Sequence, residues 1–220
     1  ELLSWGIWAM SRSTVHRSTF VSRLICAIGL GVARADPRFY KPYVLAYQSN
    51  TPLKQALEKT RADLKSAGFT IVGESSPYEG AQLLVVTNDK LRQVAAQSEY
   101  GGYGAALRVA VTRAGETVQV SYTNPLYMAI IYRMADSLEE VGQAMTNALG
   151  NEQEFGSETG LSEFTLSKYH YMIFMPYFTD QLDLAEYDSQ SAALEAVENG
   201  LATGKGGTNK VYRVDLPGTD

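Results

Sequence analysis

Arg108-Val109-Ala110-Val111-Thr112 and Val118-Gln119-Val120-Ser121-Tyr122 alternate at period two on either side of Ala114-Gly115. A β-strand sends successive side chains to opposite faces, and a glycine-bearing turn between two such runs folds them into an antiparallel hairpin. This hairpin is the clearest local feature of the sequence. Downstream, Asn124-Pro125 places a capping side chain before a proline that suits the first helical position, so Leu126 to Met134 is expected to be a helix. Ser137-Leu138-Glu139-Glu140 has the form of a capping box, and Leu138, Val141, Met145 and Leu149 line one face of a second helix up to Gly150.

Upstream, Tyr43 to Tyr47 is an apolar and aromatic run of strand type, followed by Thr51-Pro52 as helix start. Leu53, Ala56, Leu57, Thr60 and Leu64 recur at helical spacing, and Gly68 supplies the left-handed stop. Phe69 to Gly73 opens a strand, Ser75 to Gly80 is a turn cluster, and Leu83 to Val86 is a continuous apolar strand. Asn88 or Asp89 caps a short helix through Leu91, Val94 and Ala95, which ends in the glycine loop Tyr100 to Gly104. Beyond Gly150, residues 151 to 167 turn to Gly, Ser, Thr and Glu and read as a long loop. A strand from Tyr169 to Phe174, a helix around Ala192 to Leu201, a loop at Gly204 to Gly207 and a strand from Lys210 to Leu216 complete the chain.

The first 35 residues read differently. From Met10, the natural candidate for a start, come a basic stretch (Arg12, His16, Arg17, Arg23), an apolar run from Leu24 to Ala33, and Ala33-Arg34-Ala35 before Asp36. This is the order of a cleavable signal peptide, and the apolar run is far shorter than the roughly 20 residues that span a bilayer. The expected product is exported, periplasmic or secreted, with no stable membrane insertion after cleavage. Cleavage after Ala35 takes four arginines and Glu1 from totals of 19 basic and 24 acidic residues, leaving 15 and 23, a net charge of −8. No cluster of Lys and Arg remains of the kind that holds nucleic acid or an anionic membrane, so nucleic-acid partners are not expected. Cys26, the only cysteine, leaves with the signal, which excludes disulfides, thiolate nucleophiles and cysteine metal sites from the mature chain.

The helix ending in Ala67-Gly68-Phe69-Thr70-Ile71 and the hairpin running through Val118-Gln119-Val120-Ser121 to Tyr122-Thr123-Asn124-Pro125-Leu126-Tyr127-Met128 resemble the DUF302 family of uncharacterised bacterial and archaeal proteins. The match spans roughly residues 43–135. The resemblance implies an α+β fold in which helices back a curved antiparallel sheet (TBP-like). Residues 36–150 would form that domain, and residues 151–220, a loop plus strand-helix-strand extension, would complete it or form a small second lobe. Many family members carry Cys-Asn-Pro near the middle. This chain has only Asn124-Pro125, later in the order, and the family supplies no activity to transfer.

Few groups suited to catalysis stand out. His170 is the sole histidine left after cleavage, which removes H-E-x-x-H zinc chemistry and paired-histidine mechanisms. Gly156 to Gly160 has Glu158 where a nucleophile elbow needs serine. Gly200 to Gly206 is one residue short of a phosphate loop and follows a helix. The unusual feature is tyrosine, 14 of 220 residues. Tyrosine combines apolar area with a hydrogen-bonding tip, which suits the wall of a ligand cleft, although sheet faces also favour it. The leading expectation is therefore a non-enzymatic domain binding a small molecule or protein partner, without a cofactor, through Tyr100, Tyr103, Tyr122, Asn124, Tyr127, Tyr169, His170 and Tyr171. Two alternatives stay open. One is an enzyme using His170 or a tyrosine as acid or base. The other is copper carriage through His170, Met172 and Met175, with the first two sharing one face of the expected strand.

Overall fold

Residues 38–170, 172–178 and 180–218 are described by a computed structural model. The signal-like segment before Asp36 lies outside them, as does Tyr171. Strand β1 (Phe39–Tyr40) leads into β2 (Tyr43–Ser49), helix α1 (Leu53–Ser66), β3 (Thr70–Ser75), β4 (Ala81–Thr87) and α2 (Asp89–Ala96). The hairpin strands β5 (Leu107–Ala114) and β6 (Thr117–Thr123) follow, then α3 (Pro125–Ile131), α4 (Glu139–Leu149), β7 (Gln153–Phe155), β8 (Leu161–Ser162), α5 (Glu163–Leu166) and α6 (Gln190–Ala202). The fold is α+β. Six strands form an antiparallel sheet in the order β3-β4-β5-β6-β2-β7, and β1 pairs with β8 in a two-stranded ribbon.

The alternation in the hairpin sorts its residues between two environments. Val109, Val111, Val118, Val120 and Tyr122 are all buried, on the face covered by α1. That helix presents Ala56, Leu57, Thr60 and Leu64, and Thr60 is accommodated because its hydroxyl donates to the Ala56 carbonyl at 2.8 Å. Helix α4 adds Val141, Met145 and Leu149 to the same core. Gly68 adopts φ +83° and ends α1, turning Phe69 inward, where it is 3% exposed.

Two asparagines fix the short helices. Asn88 accepts the Leu91 N–H at 2.8 Å to start α2. Asn124, only 3% exposed, accepts the Leu126 N–H at 3.1 Å, with Pro125 at the first turn of α3. Its amide also donates to the Lys41 carbonyl at 2.9 Å, so one side chain holds the entrance of β2 against the start of α3.

Several expectations need correction. No capping box forms before α4: Leu138 precedes it in the left-handed region at φ +58°, and Asp136, not Ser137, accepts the Leu138 N–H at 2.8 Å. Lys90, 3.0 Å away, holds the Asp136 carboxyl below the usual carboxylate range by hydrogen bonding. The stretch 151–167 is no plain loop. β7 extends the main sheet by pairing with β2, since backbone hydrogen bonding requires no apolar composition. Among the described residues of the C-terminal extension, neither expected strand forms. Residues 172–175 make a turn in which the Met175 N–H donates to the Met172 carbonyl and Phe174 takes φ +72°, a conformation incompatible with a strand. The 210–216 segment does not pair along a sheet edge. It lies on the face of β3, where the Val211 carbonyl oxygen and Tyr212 Cβ come within 2.6 and 2.7 Å of the place a Gly73 Cβ would occupy. The helix of the extension does form, as α6, and it buries no residue.

Replacing Asn124 by alanine removes a helix cap and leaves the part-buried Lys41 carbonyl without its donor, so it should cost about 2 kcal/mol, against about 1 kcal/mol for Asn88→Ala. Asn124→Asp, which keeps the cap acceptor but loses the donor to Lys41, should fall between them. Urea denaturation of the three variants measures the order.

Candidate functional site

The second face of the sheet is built differently. Leu83, Ala110 and Ser121 lie in one cross-strand row, Leu83 paired with Ala110 and Ala110 with Ser121. In the adjoining row Val85 pairs with Arg108. Thr123 stands beside Arg108, its hydroxyl accepting the Arg108 N–H at 3.2 Å and donating to the Arg108 carbonyl at 3.3 Å. Gly73 pairs with Val85, so the Tyr212 segment covers this row at its β3 end. The small side chains at 110 and 121 leave depth that larger ones would fill. A trough of about 620 Å³ opens above them.

Aromatic rings wall the trough. Tyr43 and Phe155 are paired across β2 and β7, with ring centroids 5.5 Å apart. Tyr127 projects from α3, Tyr132 from the residue that caps its end, and Phe178 arrives from the C-terminal extension. Phe178 meets Tyr132 edge-on at 6.3 Å and stacks on Tyr169 at 6.0 Å, while Tyr132 stacks on Tyr103 at 5.6 Å. Each offset or edge contact contributes about 0.5–1.5 kcal/mol beyond its buried area. The extension is thereby held over the trough by rings instead of by sheet pairing.

Arg108 is the one charged side chain in the lining, and its guanidinium has no hydrogen-bond or ion-pair partner among the described residues. Burial pushes the Tyr127 hydroxyl up. Burial also raises that of Tyr132, with Arg108 pulling it part of the way back. Both remain protonated donors at neutral pH. The trough therefore offers apolar rings, neutral hydroxyls and a cation, with no carboxylate.

The expected tyrosine set is partly assembled here. Tyr122 and Tyr127 line the trough, and Tyr103 and Tyr169 buttress its wall from behind through Tyr132 and Phe178. Tyr122 turns its hydroxyl to the helix side, donating to the Gly150 carbonyl at 3.1 Å. Asn124 is committed to the structural bonds described above. Tyr100 is not in the lining, and hydrogen bonding to Glu99 raises its hydroxyl. His170 is also outside the lining. Its Nδ1 lies 2.6 Å from the Met172 carbonyl oxygen, and its ring meets Tyr177 edge-on at 5.0 Å. With the 169–174 strand absent, the alternation that was to set His170 and Met172 side by side is absent too. Among the described residues no three His, Cys, Asp or Glu side chains group as metal ligands.

The expected set lacks Tyr43, Tyr132, Phe155, Phe178 and Arg108, all of which line the trough. Arg108 carried a readable signal, a long cation among small residues in an alternating strand. Two other concavities are less suited to a ligand. One of about 920 Å³ beside α3 mixes Arg38 and Arg133 with Asp136, Glu139 and Glu163, and Asp136 already binds Lys90. One of about 380 Å³ beside α4 is polar, and its Tyr122 and Asn124 are satisfied internally. No helix among the described residues is long and apolar enough to cross a membrane. Comparison with protein families, curated proteins and solved structures gives no significant match.

A tyrosine whose folded pKa exceeds its unfolded value near 10 adds stability below that pH, and this is lost as pH rises through the folded value. Unfolding free energy should therefore fall less between about pH 9 and about pH 11 in the Tyr127→Phe/Tyr132→Phe double variant than in the parent chain. Urea melts at the two pH values test this, and equal losses would contradict the burial of these hydroxyls.

Proposed function

We propose that this chain is an exported, DUF302-like binding domain that holds a small molecule in the aromatic trough and performs no chemistry on it. The observation that carries the reading is the combination of five aromatic walls with a floor of Leu83, Ala110 and Ser121. A space of about 620 Å³ falls within the range of small-molecule sites. Export rests on the n-region, apolar run and Ala33-Arg34-Ala35 of the sequence. The binding role is favoured over catalysis because the trough lining contains no histidine and no carboxylate, and its Tyr127 and Tyr132 hydroxyls are held protonated by burial, which suits donors rather than a base at neutral pH.

N-phenyl-1-naphthylamine, a neutral dye that brightens in apolar sites, should bind the full chain with one-to-one stoichiometry. Ala110→Trp, which fills the floor from an exposed-face strand position, should weaken that binding by at least about tenfold while far-UV circular dichroism stays unchanged. Equal dye binding by both proteins would place the apolar site elsewhere.

A further inference from the structure

Resting on the reading of the trough as a small-molecule site, we infer that its ligand is an aromatic monocarboxylate whose carboxylate pairs with Arg108. Three features of the site converge on that class. First, the chain carries a net negative charge of −5, yet its trough lining contains one arginine and no acidic residue. The charge in the lining is thus opposite in sign to the net charge of the chain. Second, the Arg108 guanidinium has no hydrogen-bond or ion-pair partner among the described residues, unlike Arg61, paired with Glu58 and Glu74, Arg92 with Asp89 and Arg213 with Glu198 and Asp215; Arg113 is unpaired among them as well, but only Arg108 lines the trough. The Arg108 backbone is fixed by both bonds to the Thr123 hydroxyl, so the base of the side chain is positioned while its fork is left unused.

Third, the other polar side chains of the lining are hydroxyls, with no carboxylate among them. The Tyr132 hydroxyl lies within the electrostatic reach of Arg108 and stays protonated through burial. Ser121 adds a hydroxyl that makes no hydrogen bond to another described residue. A planar guanidinium matches a planar carboxylate through two parallel N–H···O bonds. One guanidinium and two neutral hydroxyls suit a single negative charge; a phosphate dianion would call for more cations than the lining contains. The ligand's body is assigned by the walls. Tyr43, Tyr127, Tyr132, Phe155 and Phe178 present ring faces and edges, which favour flat aromatic partners in offset or edge-on contact. Arg108 is itself exposed, so the carboxylate sits toward the mouth and the ring system lies over Ala110 and Ser121.

The test compares 2-naphthoate with 2-naphthalenemethanol, which has the same ring and no charge, by isothermal titration against the full chain, its Arg108→Gln variant and its Ala110→Trp variant. The inference expects naphthoate to bind the parent chain about tenfold more tightly than the alcohol. Arg108→Gln should erase that difference by bringing naphthoate affinity down to that of the alcohol, and raised salt should weaken the naphthoate more than the alcohol. Ala110→Trp should weaken both. Equal affinities for the two probes in the parent chain, or a naphthoate preference that survives Arg108→Gln, would overturn the carboxylate assignment and leave the trough as a neutral apolar site. Failure of both probes to respond to Ala110→Trp would overturn the trough itself as the binding site.

Discussion

The structure depends on a sheet whose two faces have unequal cover. Val109, Val111, Val118 and Val120, buried on the face covered by α1, form part of the core that α4 completes, and each fully buried side chain of this size contributes about 1.5–3 kcal/mol. A strand cannot bury one face without committing the other, because the side-chain period is two. The hairpin register that drives Val109 and Val111 inward therefore also places Arg108, Ala110 and Thr112 outward. The site is a consequence of that commitment.

How the outer face is finished decides what it can do. At the β3 end the 210–216 segment lies directly on the sheet, made possible by the missing side chain at Gly73. Toward the centre the cover lifts away. There Phe178 is held by Tyr132 and Tyr169 at ring-contact distances, and the small side chains of Ala110 and Ser121 keep the space beneath it open. At the far end β7 adds Phe155 beside Tyr43. The trough thus combines a floor of sheet residues with walls from β2, β7 and α3 and, through Phe178, from the C-terminal extension.

What was legible in the sequence was what local chemistry decides. The hairpin, the caps at Asn88 and Asn124, the Gly68 stop and the buried face of α1 all follow from residues a few positions apart. What was not legible depended on partners far along the chain. Gln153–Phe155 has no strand-like composition, and only the free edge of β2 makes it a strand. The apolar runs at 169–174 and 210–216 have the composition of strands, but the first is broken by the left-handed Phe174 and the second meets a sheet face instead of an edge. For the site, an excess of tyrosine was readable and its grouping was not: Tyr127 and Tyr132 reach the trough, Tyr103 and Tyr169 support it from behind, and Tyr100 stands apart. A cation on an alternating strand ordinarily faces water, so that pattern alone does not mark Arg108 as a site residue; its significance lies in a trough lining that contains no carboxylate.

The central claim is that the outer sheet face, and not the helical face or the polar cleft beside α4, receives the ligand. Backbone and methyl chemical-shift mapping during titration of the isotopically labelled chain with 2-naphthoate tests it most directly. The account predicts the largest perturbations at Leu83, Arg108, Ala110 and Ser121, with smaller ones at Tyr127 and Tyr132. Perturbations centred on Gln143, Thr146 and Asn151, or spread evenly over the surface, would contradict it.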